Sequence, residues 1–207
     1  MTSLSINIDP GQLAKVKFML AGIEKSQGKV VQQAVNRTLS GVRTDATNEI
    51  SNVITPTKTR IRSAITINQM TSKDGFAAVK CTGGPLNLIH FKARPTNKGV
   101  TVQVKKNSAR ELIKHAYIAR TKSGIELVFW RKQKEFVGIA KWDKTNKGKY
   151  GTFPKKYRLP SKALTSLAIP EAMGHEPTMK EILRLGGIRL RKNLEDRLSY
   201  ELKRLRS

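Results

Sequence analysis

Residues 31–50, VQQAVNRTLSGVRTDATNEI, decide how this chain is read. Val31, Val35, Leu39, Val42, Ala46 and Ile50 recur at steps of three and four, which lines one side of an α-helix with apolar groups. Asn36, Arg37, Arg43 and Thr47 fall on the other side. Upstream, Asp9-Pro10-Gly11-Gln12 has the chemistry of a helix start: a carboxylate to cap, a proline whose missing N–H is not needed, and a glutamine three positions on. Leu13, Val16, Leu20 and Ile23 open the same apolar stripe. One long helix from about Gln12 to Val53 is therefore predicted, with a bend near Gly28.

Past Val53 the pattern shortens and then changes period. Thr55-Pro56 predicts the start of a second, short helix with Ile61, Ala64 and Ile65 inward and Lys58, Arg60 and Arg62 outward. Four runs rich in β-branched and aromatic residues follow, at 76–81, 86–91, 100–104 and 125–130, separated by Gly, Pro or Asn turns. In GVTVQVKK, Val100, Val102 and Val104 alternate with Thr101, Gln103 and Lys105, as in a strand with one buried face. At the far end, Thr178 and Glu181 have capping-box spacing, and Leu190, Leu194, Leu198, Leu202 and Leu205 define a terminal amphipathic helix interrupted by Gly186-Gly187. The expected fold is α+β: a long N-terminal helix, a short second helix, a small twisted and mostly antiparallel sheet, and a C-terminal helix. Residues 1–207 are expected to form a single domain, with 1–8 as an N-terminal extension and 132–158 as a basic exposed loop or arm.

Forty Lys and Arg against fifteen Asp and Glu leave a formal charge of +25, which repels itself unless an anionic partner is near. The excess is concentrated: residues 75–160 hold 20 basic and 4 acidic side chains, residues 1–74 only 10 and 5. No stretch reaches the ~18–20 apolar residues of a membrane span, and MTSLSINIDPG lacks the features of a signal peptide, so a soluble protein made in the cytoplasm and without a membrane partner is expected. The one cysteine, Cys81, lies in a β-like run and reads as a small buried apolar group.

Catalytic patterns are not visible. His90, His115 and His175 share no metal-ligand spacing. GIEKSQGK, residues 22–29, has the wrong glycine spacing for a phosphate loop, lacks the hydroxyl residue after Lys29 and falls within a helical pattern. Glu111, Glu126, Glu135 and Asp143 are the acids a nuclease would have to use for Mg²⁺, and they are accounted for as charge balance among twenty bases. No enzyme activity, metal or cofactor is expected.

Lys92, Arg94 and Lys98, together with the arm cations Lys141, Lys144, Lys147, Lys149, Lys155, Lys156 and Arg158, suit phosphate contact, which needs charge and reach but no base-edge geometry. Trp142, Tyr150 and Tyr157 are interleaved with the arm cations; they can stack on bases or anchor the arm in a neighbouring protein. Arg37 and Arg43 are expected on a polar helix face, in solvent or against a neighbouring subunit.

The order AVNRTLSGVRTDATNEI (34–50), TPTKTRIRSAITI (55–67), LNLIHFKARP (86–95), GVTVQVKK (99–106), HAYIARTKSGIELVFWR (115–131) and RLPSKAL (158–164) resembles the minor tail protein Z, or tail completion, family of long-tailed phages. The resemblance rests on Asn36-Arg37, Phe91 and Arg94, Ser123-Gly124, Phe129 and Arg131, and Leu159-Pro160. It departs at Leu167-Ala168-Ile169-Pro170, where relatives tend to carry Gly-Pro-Ser, and in a longer arm at 132–153. It implies a virion structural protein at the head-proximal end of the tail that completes it for joining to the head. It further implies a ring, expected as a homo-hexamer, around packaged double-stranded DNA, with the tail terminator, tail tube and connector as protein partners. A sequence-nonspecific nucleic-acid-binding module outside any virion is the alternative that charge alone would support.

Overall fold

In the computed structural model, residues 2–5, 24–71, 76–131 and 161–206 are described. The chain groups into two compact units: residues 1–85 with 167–207, and residues 86–166. The second is thus inserted between two segments of the first.

The first unit is built on two long helices, α1 (Glu24–Val53) and the C-terminal α4 (Glu176–Arg206). At 1.5 Å per residue each spans about 45 Å. The strand β1 (Thr2–Ser5) precedes α1, and between the two long helices in sequence come the short helices α2 (Lys58–Ala64) and α3 (Ile169–Gly174) and the strands β2 (Ile65–Asn68) and β3 (Ala78–Cys81). β3 is the centre of a three-stranded antiparallel sheet, with Val79 opposite Leu4 on one side and Ile67 on the other.

The apolar stripe of the opening stretch is the core of this unit. Val31, Val35, Leu39, Val42, Ala46 and Ile50 are all buried, as are Ile61, Ile65, Met173, Ile182, Leu190, Leu194 and Leu198. Close packing of α1 on α4 is set by two glycines. A Cβ on Gly186 would lie 3.2 Å from Cγ2 of Val42, and one on Gly41 would lie 2.8 Å from Cδ of Arg189. α4 runs continuously through Gly186-Gly187, so the first of these glycines serves close approach rather than interruption.

Polar groups are matched across the same helix pair. The Arg189 guanidinium donates to both carboxylate oxygens of Asp45, at 2.5 and 2.8 Å, and the Asn193 amide donates to the Thr38 hydroxyl at 2.9 Å. This bidentate contact raises the Arg189 pKa, chiefly through the hydrogen bond itself. Buried Thr38 and Thr47 donate their hydroxyls to the carbonyls of Ala34 and Arg43, each at 2.7 Å, so neither is left unsatisfied inside the helix.

Three local readings change. The cap of α2 is Thr57, whose hydroxyl accepts from the Arg60 N–H, and not Thr55. α4 begins at Glu176, which places Thr178 buried inside its first turn instead of at a cap. α3 was not anticipated; its first turn is fixed by Pro170 and by Glu171, whose carboxylate accepts the Ala168 N–H at 3.0 Å. The predicted beginning of α1, residues 12–23, and the arm, residues 132–158, lie outside the described residues. Cys81 is fully buried, and burial pushes its thiol up to about 11.

Among its described residues the second unit holds two three-stranded antiparallel sheets. One has the order β5 (Arg94–Thr96), β6 (Gly99–Val102), β7 (Glu111–Lys114), and the other β10 (Ser161–Ala163), β9 (Glu126–Arg131), β8 (Ala116–Arg120). Leu86, Leu88, Phe91, Val100, Val102, Ala116 and Val128 are its buried core. The run at 86–91, read as a strand, is a strand only through Asn87 and then turns as a 3-10 helix, Leu88–His90. Asn87 causes this. Its side-chain oxygen accepts from the Ile89 N–H at 3.0 Å and from the Val128 N–H at 2.9 Å, holding the turn against β9.

Candidate nucleic-acid interface

The second unit carries most of the charge: residues 86–166 contain 20 Lys and Arg against 4 Asp and Glu. Its three-stranded sheet β5–β6–β7 arranges part of this charge on one face. The register pairs Arg94 with Thr101 and Thr101 with Leu112, then Thr96 with Gly99 and Gly99 with Lys114. Directly opposed residues share a face and alternate residues return to it, so Arg94, Thr96, Thr101, Leu112 and Lys114 lie on one side. Val100 and Val102 are on the other side and are buried.

Gly99 permits this arrangement. Its φ is +152°, and a Cβ there would fall 2.1 Å from the Ile113 carbonyl oxygen, so no side chain fits between β6 and β7 at this point. The turn before it presents Lys98 to solvent, while the Lys98 carbonyl accepts the His115 N–H at 3.2 Å. His115, exposed with φ +61°, makes the corner from β7 into β8. At the opposite end of the sheet, Lys92 has φ +51°, and its carbonyl accepts the Arg110 guanidinium, which also reaches the Thr101 carbonyl at 3.4 Å. Arg110 is half-buried and acts as a brace; its Nε is buried and has no partner among the described residues.

Lys92, Arg94 and Lys98 are therefore exposed and brought to one small sheet. Lys114 and Arg110, which sequence reasoning did not single out, join them. Neither gives a local signal, because Lys114 is placed by pairing with Gly99 and Arg110 by bonds from its guanidinium to the Lys92 and Thr101 carbonyls. None of Lys92, Arg94, Lys98 and Lys114 makes an ion pair or side-chain hydrogen bond to a described residue. The arm residues Lys141, Lys144, Lys147, Lys149, Lys155, Lys156, Arg158, Trp142, Tyr150 and Tyr157 lie outside the described residues.

The two helix arginines separate. Arg37 is exposed on α1. Arg43 is half-buried, and its Nη2 donates to the Arg62 carbonyl at 2.9 Å within its own unit. Its neighbours on the polar face are also occupied internally: the Asn36 amide donates to the Met70 carbonyl at 3.0 Å and accepts the Met70 N–H at 2.8 Å, and Gln32 donates to the same carbonyl. Much of that face docks the segment after β2.

Among the described residues, no group of three or more His, Cys, Asp or Glu is placed to hold a metal ion, and no helix is long and apolar enough to cross a membrane. No curated protein and no solved structure matches the chain. The family model described as prophage minor tail protein Z matches residues 13–205, spanning both long helices and the whole inserted unit. The chain therefore belongs to the prophage minor tail protein Z family and is a phage tail structural protein.

Proposed function

We propose that this protein completes the head-proximal end of the tail as a closed ring of identical subunits around the DNA channel, and that its role is structural rather than catalytic. The observation that carries the reading is the division of charge: the inserted unit holds 20 basic and 4 acidic residues, while the larger unit around it holds 20 and 11. Cations of the inserted unit that face packaged DNA offset phosphate charge, and closure into a ring multiplies the effect. Six copies fit the expected sixfold tube. The arm, with Trp142, Tyr150 and Tyr157, and exposed Arg37 are the residues assigned to contacts with the neighbouring subunit, the tail terminator, the tail tube or the connector.

Imaging of assembled particles labelled on this chain tests the reading. Six copies in a ring at the end that meets the head are expected. One or two asymmetric copies, or a position at the distal tip, would sink it.

A further inference from the structure

We infer that the outer face of the β5–β6–β7 sheet is a contact surface for the phosphate backbone of duplex DNA, with Arg94, Lys98 and Lys114 as its contact residues. The inference rests on the proposed function for the choice of duplex DNA as the polyanion, and it assigns the contact to one sheet face. Three features of the face carry it.

The first is charge without a counter-charge among the described residues of the face. Arg94 and Lys114 lie on the face, Lys98 at its turn and Lys92 at its far end, all exposed. The one acid on these strands, Glu111, opposes Val102 and so projects to the other side of the sheet. Second, the face has spent its directional polar groups. The Thr96 hydroxyl donates to the Gly99 carbonyl at 2.9 Å and the Thr101 hydroxyl to the Arg94 carbonyl at 3.3 Å. What it presents outward is charge rather than a donor pattern, which is the requirement of sequence-independent phosphate contact. Third, the face is held rigid. Gly99 brings β6 and β7 close, and Arg110 ties the Lys92 and Thr101 carbonyls together. β5 and β7 are two strand spacings apart, about 10 Å. That length of duplex carries roughly six phosphate charges, enough to engage every cation on the sheet.

Leu112 is 41% exposed on the β7 edge of the face, beside Lys114, and it separates this reading from docking of an acidic protein. A protein partner would bury the leucine and depend on it. A phosphate backbone would not.

The test is the salt dependence of binding to a duplex of arbitrary sequence, using the whole chain and the triple variant R94Q/K98Q/K114Q. The slope of log affinity against log salt is expected to fall in magnitude by about 2–3, at ~0.9 per lost contact, with affinity at ~50 mM salt reduced at least about tenfold. Cations of the arm contribute equally to both proteins and cancel in the difference. Leu112→Ser should leave slope and affinity unchanged, and two unrelated duplexes should bind within about twofold of each other. Circular dichroism confirms that both variants remain folded. An unchanged slope in the folded triple variant, loss of binding in Leu112→Ser, or absence of binding by the parent chain at low salt would each overturn the assignment. Particle imaging is independent of this assay, so a failed ring location and a failed sheet contact are told apart.

Discussion

The two units of this protein use the same kinds of charged side chain in opposite ways. In the helical unit, three arginines are joined to carboxylates of the same chain: Arg189 to Asp45, Arg184 to Glu181 and Arg204 to Glu201. In the inserted unit, Arg120 with Glu126 is the ion pair among the described residues, and Lys92, Arg94, Lys98 and Lys114 have no carboxylate partner among them. The Arg189–Asp45 pair joins the two long helices, while the other two lie within α4. Charge on the cationic sheet of the second is left without such a partner among the described residues, as the proposed phosphate contact requires.

The largest effects expected are in the cores. Phe91 is the largest fully buried side chain, and Phe91→Ala should cost about 3–5 kcal/mol; Leu39→Ala on α1 should cost about 2–5 kcal/mol. Measured by denaturant unfolding, with circular dichroism at 222 nm following the helices and near-ultraviolet signals following the aromatic sheet unit, the two variants also sharpen the division into units. If they fold independently, each variant lowers only its own unit's midpoint. A single shared midpoint lowered by both would show that the units unfold as one.

Next in size is an asymmetry at the Asp45–Arg189 contact. The Asp45 side chain is 10% exposed and that of Arg189 48%. Removing the arginine strands a buried carboxylate, whereas removing the aspartate leaves a guanidinium able to reach water. Arg189→Ala is expected to cost about 2–3 kcal/mol and Asp45→Ala about 1–2 kcal/mol. Equal costs would mean that water reaches both groups and that the pair does not set helix registry.

The helix-pair glycines give a smaller effect of opposite sign. A Cβ at Gly187 meets nothing within 4 Å, so Gly187→Ala should stabilise by about 0.5–1 kcal/mol through helix propensity. At Gly186 the new methyl would press on Val42 at 3.2 Å, which offsets that gain. Thermal midpoints should therefore rank Gly187→Ala above the parent and Gly186→Ala below Gly187→Ala. Cys81 gives a related check on packing. With its thiol pushed up to about 11, the neutral form is favoured by folding, and that contribution is full below the ordinary thiol value of 9.0 and lost as pH rises through about 11. At pH near 8 an aromatic disulfide reagent should react with Cys81 at the rate of unfolding rather than instantly.

What the sequence made legible follows the range of the interactions involved. The helical stripe of 31–50 and the leucines of α4 were readable because helix burial repeats every three to four residues, and all but the helix ends follow from that period. Val100 and Val102 were readable because β6 is a central strand with one buried side. β5 and β10 were not, since all three residues of each are exposed and Pro95 and Ser161 give no strand pattern; they exist because a neighbour pairs with them. The apolar run at 86–91 was misread because a side-chain contact from Asn87 outweighed β-propensity. For the same reason half of the cationic sheet was missed. Lys92, Arg94 and Lys98 are close in sequence, but Lys114 reaches them only through the β6–β7 register.

The smallest effects expected concern stability at the surface cations, and they test the contrast between the units most directly. Arg120 and Glu126 lie 3.0 Å apart with 71% and 51% of their side chains exposed, so Glu126→Gln should cost no more than about 0.5 kcal/mol. Neutralising Lys98 or Lys114 removes no partner, because neither has one among the described residues, and it relieves repulsion within a unit of formal charge +16. Those variants should be stabilised by a few tenths of a kcal/mol at low salt, the opposite sign to Glu126→Gln. Both effects should vanish near 1 M salt, where the Debye length is about 3 Å. Denaturation midpoints of Lys98→Gln and Glu126→Gln at low and high salt decide the matter. If Lys98→Gln is destabilising and stays so at high salt, Lys98 makes a structural contact, and the sheet face is part of the scaffold rather than a surface kept free for a polyanion.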